Sequence, residues 1–218
     1  MSIELDDLRL LKLFRDSFRE GQSCAILGDC EQSHVAGLGN FKRQLNFVNV
    51  DTFDVNGDPT YKVDLTEPID EALFGKYDWV IDCATMQCCF DVCSVWKNIL
   101  NLLSDRGCVV HMGSLVGFFG RGFYSLSPAL FSEFYNANDF TIHSMATKIR
   151  RGKARRTWKT FHKDHTFLLN SDLGFQKKQR GFVPMIPNDA QICCFAKRNK
   201  RVEFTKPILQ HYIDTNGR

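Results

Sequence analysis

Residues 24–29 have the sequence CAILGD, a short apolar run that breaks into a glycine and an acid. A second run, FVNVD at 47–51, and a third, YDWVID at 77–82, each end on an aspartate. A fourth, GCVVHM at 107–112, follows an amphipathic stretch. Strands that alternate with helices and end on an acid form the nucleotide-binding crevice of a doubly wound sheet. The order of these runs therefore predicts an α/β fold that binds a nucleoside cofactor.

The length and composition suit one folded domain. The chain has 218 residues, of which 44% are hydrophobic and 24% are charged, as in ordinary globular proteins. No apolar stretch approaches the roughly 18–20 residues of a membrane helix, and the acidic start, MSIELDD, lacks the basic region of a secretory signal. The nine cysteines include two adjacent pairs but no C-x-x-C pair. We therefore expect reduced thiols, a cytoplasmic location, no metal site and no membrane contact.

Hydrophobic periodicity predicts the elements between these runs. Helices are expected over 4–20, 31–45, 67–74 and 90–103, with another beginning at Ser127-Pro128. Further strands are expected at 61–65, 140–142 and 191–196, which makes seven. The alternation predicts a mostly parallel sheet with helices on both faces, to which the last strand is added late.

The charges divide the chain unevenly. Residues 1–147 carry 11 Lys and Arg against 20 Asp and Glu, whereas residues 148–206 carry 16 against 4. Eight of the basic residues fall within 148–163, interleaved with two aromatic side chains. Arginine suits phosphate and carboxylate, and aromatic rings stack on bases. The segment thus favours an anionic ligand or RNA, although a solvated loop would have the same composition.

These runs resemble the class I S-adenosylmethionine-dependent methyltransferases over roughly residues 20–200. The resemblance rests on the runs quoted above and on a late strand at 192–196 that is followed by two basic residues. A further stretch, GRGFYSLSPALF at 120–131, is similar to a segment after the fifth strand of some bacterial members. It implies a Rossmann-like, seven-stranded, mostly parallel sheet with helices on both faces, whose last strand is antiparallel and inserted between its neighbours.

The resemblance also implies S-adenosylmethionine as cofactor and assigns residues to it. Gly28 and Asp29 would lie against its methionine part, where the family has a glycine turn because a Cβ would block the approach. Asp51 would accept hydrogen bonds from the two ribose hydroxyls. Asp64 and Leu65 would contact the adenine.

Further residues would bind the cofactor, as Asp82 and Cys83 would, or act on the substrate, a small molecule or a glycan. Asp82 and Cys83 end the fourth strand, where cofactor and substrate meet in the family. His111 is the candidate general base, because imidazole titrates near neutral pH, although a histidine of the core would fit the same pattern. Tyr124 is a second catalytic candidate.

Substrate-binding residues are expected in two places. Arg121 and Phe123 lie in the loop after the fifth strand, next to further aromatic residues. Arg155 and Arg156 lie within 148–190, which we interpret as a basic insertion or arm of a single domain spanning 1–218.

Two other functions compete with methyl transfer. A non-catalytic domain could keep the sheet and bind RNA or a phosphorylated ligand through its basic segment. The turn after the first strand favours this alternative, because it has one early glycine, Gly28, where the family has G-x-G. A nicotinamide-dependent oxidoreductase would need G-x-G-x-x-G directly after the first strand, and the sequence from Gly28 does not supply it. The sequence leaves the acceptor and the oligomeric state open.

Overall fold

The computed structural model describes residue 3 and residues 5–18, 21–28, 38–117, 120–149, 157–161 and 190–209. The helices are α1 (Leu5–Ser17), α2 (Leu38–Leu45), α3 (Val92–Leu102) and α4 (Pro128–Ala137). The strands are β1 (Ser23–Leu27), β2 (Asn49–Asp54), β3 (Tyr61–Lys62), β4 (Tyr77–Cys83), β5 (Leu103–Val116), β6 (Phe140–Ile149), β7 (Thr157–Phe161) and β8 (Ala190–Arg198). Short 3₁₀ helices lie at Glu71–Leu73 and Met86–Cys88.

The strands form one sheet in the order β3-β2-β1-β4-β5-β8-β6-β7. The pairings from β3 through β5 are parallel. β8 lies antiparallel between β5 and β6, and β7 pairs antiparallel with β6 at the edge. The predicted fold class is therefore confirmed, including the late strand inserted between its neighbours. β7 is an additional edge strand within the basic segment, where no element was predicted.

Helices cover both faces of the sheet, because buried strand residues alternate between two cores. On β1, Ala25 and Leu27 pack in the core that holds the inner faces of α3 and α4. Cys24 and Ile26 belong to the opposite core, under α1 and α2. Alternate side chains of a strand point to opposite faces, so the apolar run at 24–27 serves both layers.

One buried arginine closes the second core where α1 and α2 end. Arg15 donates from Nε to the carbonyl oxygen of Leu45 (3.2 Å) and from Nη1 to that of Phe18 (3.1 Å). Its guanidinium lies 4.7 Å from the ring centroid of Phe47. The last carbonyls of a helix lack partners within the helix, and the guanidinium of Arg15 donates hydrogen bonds to such carbonyls here. Burial lowers the pKa of Arg15 below its ordinary value.

Tertiary contacts move two predicted elements. The strand expected at 47–51 is instead β2, which runs to Asp54, because its register on β1 pairs Ser23 with Asn49 and Leu27 with Phe53. The helix expected over 67–74 is wrong except for the 3₁₀ turn at Glu71–Leu73.

One side-chain amide binds the segment that precedes this 3₁₀ turn. The side chain of Asn98 on α3 donates to the carbonyl oxygens of Leu65 (2.8 Å) and Glu67 (2.7 Å) and accepts from the backbone of Ile69 (3.4 Å). These bonds connect α3 to residues 65–69, which are not helical.

The first basic residue of the segment 148–163 is used inside the protein. Lys148 is 1% exposed, and its Nζ lies 2.8 Å from Oδ1 of Asp7 on α1. Arg198 on β8 is also buried and donates to the carbonyl oxygens of Leu100 and Leu103. Neither side chain is thus presented to an anionic partner. Among the described helices, none is long and apolar enough to cross a membrane.

Candidate functional site

The parallel strands β1, β2 and β4 end at one edge of the sheet, where the register aligns residues at or next to their ends with His111 in β5. Leu27 on β1 pairs with Phe53 on β2 and with Asp82 on β4, and Asp82 pairs with His111 on β5. The amide of Gly28 then donates to the carbonyl oxygen of Phe53 (2.8 Å). In open α/β sheets ligands bind outside this carboxyl edge, and two clefts lie there.

The first, which we call the β2–β4 cleft, has a volume of about 340 Å³. It is lined by Asp54, Val55, Val63, Asp64, Leu65, Thr66, Thr85, Cys88, Cys89 and Phe90. Its apolar side chains form a surface on which a flat base can pack, and two carboxylates lie among them. No lysine or arginine is among the described residues that line it, so the cleft favours a cation.

The ionisation of the lining groups fits this picture. The hydroxyl and then the backbone amide of Thr66 donate to Asp64 Oδ1 (2.7 and 2.9 Å) and lower the pKa of Asp64, which therefore stays charged at neutral pH. Burial, and then the charge of Asp82, raises the pKa of Cys89 to about 11. Since the thiolate is the nucleophilic form, this cysteine is a packing group of the cleft.

A close contact between β1 and β4 forms one corner of the cleft. Gly28 has a φ of +100°, and a Cβ built on it would lie 2.5 Å from Oγ1 of Thr85. That hydroxyl donates to the carbonyl oxygen of Leu27 (2.8 Å). Glycine is required here for both its backbone angle and its lack of a side chain.

Asp51 does not lie at the carboxyl edge, which corrects its predicted position. It is the third residue of β2, opposite Ala25, and its carboxylate accepts from the hydroxyl of Tyr77 (2.7 Å) and from Lys76 (3.2 Å). The acid at the end of β2 is Asp54, which lines the cleft. The apolar run at 47–50 suggested that the strand ends at Asp51, and only the register on β1 shows that β2 ends at Asp54.

The second cleft at the carboxyl edge, which we call the β5 cleft, has a volume of about 410 Å³. Its lining residues are Gln87, Ser114, Leu115, Val116, Gly117, Gly120, Gly122, Phe123, Tyr124 and Ser125. The carbonyl oxygen of Gln87 accepts from the amides of Phe123 (2.8 Å) and Tyr124 (3.2 Å). The loop after β5 is thus bound to the 3₁₀ turn after β4.

Exposed aromatic rings connect the two clefts. Phe90 lines the first cleft and is 74% exposed, and its ring meets that of Phe123 edge to face at 5.6 Å. The hydroxyl of Tyr124 donates to the carbonyl oxygen of Phe90 (2.8 Å). Clustered exposed apolar side chains mark binding surfaces, so these rings form a shared rim.

Below the edge, three polar side chains form a buried chain. Oδ2 of Asp82 lies 3.0 Å from Nδ1 of His111, whose Nε2 lies 2.6 Å from the hydroxyl of Tyr135 on α4. All three residues are 0% exposed. A general base must reach its proton directly or through one water. The catalytic role of His111 stays a prediction, and its burial in the core does not favour it.

The remaining predicted residues are scattered. Cys83 is buried in the core under α1 and α2, on the face opposite Asp82. Arg121 is exposed, and its carbonyl oxygen lies 3.2 Å from Sγ of Cys88. Asp29, and Arg155 with Arg156, lie outside the described residues. Within the described part of the chain, no group of three or more His, Cys, Asp or Glu could hold a metal ion.

Gly28, Asp64 and Leu65, which the sequence singled out, are brought to the first cleft or its corner, and Phe123 and Tyr124 to the second. Sequence reasoning missed Asp54 and Phe90. An acid four residues beyond the apolar run gave no local signal for the first, and Phe90 was predicted only as the start of a helix.

The solved structures that the chain resembles include methyltransferases and a polyamine synthase. The plantazolicin methyltransferase BpumL, solved with SAH, has a TM-score of 0.51 at 11% identity, covering 89% of this chain and 83% of that one. A SAM-dependent methyltransferase from Archaeoglobus fulgidus has a TM-score of 0.51 at 11% identity, covering 88% and 94%. The branched-chain polyamine synthase of Thermus thermophilus has a TM-score of 0.53 at 12% identity, covering 93% and 58%.

These likenesses show that the chain has the fold of the class I S-adenosylmethionine-dependent methyltransferases, as the sequence predicted. No protein-family model matches the chain, and neither does any curated protein. At 10–12% identity the fold alone is shared, and the fold does not by itself determine an activity.

Proposed function

We propose that the protein binds S-adenosylmethionine in the β2–β4 cleft and transfers its methyl group to a small-molecule acceptor held in the β5 cleft. One observation carries the proposal: an anionic, partly apolar cleft at the carboxyl edge of a methyltransferase fold adjoins a second cleft across a shared aromatic rim. The neighbours of this fold solved with SAH support the cofactor.

The residues of the first cleft fit this cofactor. Asp54 is placed to accept from the ribose hydroxyls, and a carboxylate can accept from two hydroxyls at once. Leu65 and Val63 offer apolar surface to the adenine, and Asp64 an acceptor for its amino group. The carboxylates of Asp54 and Asp64 also stabilise the positive charge of the sulfonium.

When bound, the cofactor supplies an electron-poor methyl group on a positively charged sulfur. Transfer would join the methyl carbon to a lone pair of the acceptor, leave the pair of the broken bond on the sulfur and release the acceptor's proton to water. The protein's part is positioning, which can supply much of such a rate. Phe90 and Phe123 offer apolar surface between the clefts, and Tyr124 holds the rim through its bond to the backbone of Phe90.

The acceptor is better described as a small uncharged molecule than as a glycan or RNA. The described lining of the β5 cleft contains no charged side chain, and its volume of about 410 Å³ suits a compound of drug size. Binding of an anion through the basic segment depends on residues 150–189, most of which lie outside the described residues. We therefore rank that function second.

Isothermal titration with S-adenosylmethionine and with S-adenosylhomocysteine (SAH) tests the proposal. We expect micromolar dissociation constants, weakened about tenfold or more by Asp54→Asn, since hydrogen bonds to charged groups contribute about 1.5–3 kcal/mol. The exposed Asp58→Asn is the matched control. Asp51→Asn compares the acid that the sequence predicted, which we expect to change the constant less than twofold. No heat with either ligand would reject the proposed function, and a loss confined to Asp51→Asn would reject our assignment of the ribose site.

A further inference from the structure

The chain of buried polar groups below the edge ends at the wall of the cofactor cleft. Oδ1 of Asp82 accepts from the backbone amides of Thr85 (2.9 Å) and Met86 (3.1 Å), while Oδ2 faces His111. Ala84, which lies between Asp82 and Thr85 in the sequence, has a φ of +59°. A left-handed conformation of this kind costs a non-glycine residue free energy and persists only where its surroundings determine it. The two amide bonds to Asp82 provide that constraint.

The turn held in this way determines where the cleft wall stands. Thr85, Cys88 and Cys89 line the cleft, and the hydroxyl of Thr85 is fixed to the carbonyl oxygen of Leu27. A shift of the Asp82 carboxylate would therefore move the wall that faces the ligand.

Two further side chains hold that carboxylate. Nε2 of His111 lies 2.6 Å from the hydroxyl of Tyr135, and in the tautomer that leaves Nε2 unprotonated this hydroxyl donates to it. The imidazole then carries its proton on Nδ1 and donates it to Asp82. The rings of Trp96 and Phe131 pack against the imidazole at centroid distances of 4.6 and 5.2 Å.

We propose that His111 and Tyr135 are positioning residues for the cofactor: through Asp82 they fix the turn at residues 84–86, and with it the cleft wall, without touching the ligand. The inference rests on the proposed function for the identity of that ligand. It gives the buried histidine a role that neither a general base nor a passive core residue would have.

Tyr135→Phe tests the inference, because it removes a single hydroxyl from the end of the hydrogen-bonded series Asp82, His111 and Tyr135. We expect SAH binding to weaken about threefold to tenfold, the range for one lost hydrogen bond. The amides of Thr85 and Met86 should exchange with deuterium about tenfold faster. Phe140→Leu is the matched control, since Phe140 packs 4.9 Å from the ring of Tyr135 but makes no bond in the chain. At a temperature where both variants are fully folded, it should leave both readouts near wild type.

His111 is tested by two replacements. In His111→Asn the amide nitrogen stands where Nδ1 stood, so that the donor to Asp82 is kept, whereas His111→Leu loses it. We expect His111→Asn to bind SAH close to the level of Tyr135→Phe and His111→Leu to bind at least tenfold more weakly than wild type. Recovery of this kind by the conservative variant is not expected if the ring only fills space.

The results separate the two proposals. If the wild-type protein binds neither ligand, the proposed function fails. The amide exchange then still decides whether Asp82, His111 and Tyr135 hold the turn at residues 84–86. If Tyr135→Phe binds and exchanges as wild type does, or if Phe140→Leu changes both readouts equally, the positioning role is overturned.

Discussion

Replacing Gly28 by alanine tests the corner where β1 meets the cofactor cleft. The new Cβ would lie 2.5 Å from Oγ1 of Thr85, which is far closer than van der Waals contact. The hydroxyl cannot retreat without losing its 2.8 Å bond to the carbonyl oxygen of Leu27. The backbone itself has a φ of +100°, a conformation that a side chain disfavours.

These effects give an expected magnitude. A left-handed backbone costs an L-residue about 1–2 kcal/mol, and the lost hydrogen bond of Thr85 costs about 0.5–1.5 kcal/mol. We therefore expect Gly28→Ala to lower the free energy of unfolding by about 1.5–3.5 kcal/mol. The matched control is Gly39→Ala in α2, where no atom lies within 4 Å of the new Cβ. In a helix this change should raise stability by about 0.5–1 kcal/mol.

Urea unfolding, followed by tryptophan fluorescence, measures both changes. Adding Thr85→Ala removes the hydroxyl that the new methyl group meets, so the double variant should be more stable than the two single effects predict, by at least about 0.5 kcal/mol. Additive effects would show that the contact with Thr85 costs nothing. A Gly28→Ala protein as stable as wild type would refute the geometry of the corner.

Three further predictions concern buried or hydrogen-bonded groups. Arg15→Met should lower the unfolding free energy by about 2–4 kcal/mol because it leaves buried carbonyls without donors, whereas the exposed Arg9→Met should change it by less than about 0.5 kcal/mol in the same urea assay. Burial alone would raise the pKa of Asp78, but hydrogen bonds from Ser23 lower it below 3.8. Asp78 therefore stabilises the fold above about pH 3.8, and this stability is lost as the pH falls through the folded pKa. The loss of unfolding free energy in Asp78→Asn, measured in urea, should shrink between about pH 5 and pH 2. A loss that stays constant over this range would contradict the lowered pKa. With a pKa of about 11, Cys89 should react slowly with iodoacetamide at neutral pH and faster up to about pH 11 by mass spectrometry, and rapid labelling at neutral pH would contradict the raised pKa.

Local sequence was enough to identify the central strands and one helix start. The apolar runs at 24–27 and 77–82 became β1 and β4 because strands covered on both faces need continuous apolar residues. The pair Ser127-Pro128 became the N-cap and first residue of α4, where the hydroxyl of Ser127 accepts from the amide of Ala129 (3.1 Å). Each of these signals lies within a few residues of the element that it predicts.

The site was less predictable, because its members are fixed by partners distant in sequence. Asp51 and Asp54 are both acids near the end of an apolar run, and only the pairing of Leu27 with Phe53 shows which of them reaches the edge. His111 looked equally suited to catalysis and to the core. Its contacts with Asp82 and Tyr135, 29 and 24 residues away, place it inside.

The sequence by itself determined the central strands, most of the helices and with them the fold class, because periodicity and strand-ending turns act over one element at a time. The tertiary structure alone decided which acids line the cleft and which are buried, and it placed Lys148 and Arg198 inside the protein. The physical reason is that strand register and helix packing are set by contacts summed over the whole sheet. A shift of one residue reverses the face of every side chain on a strand.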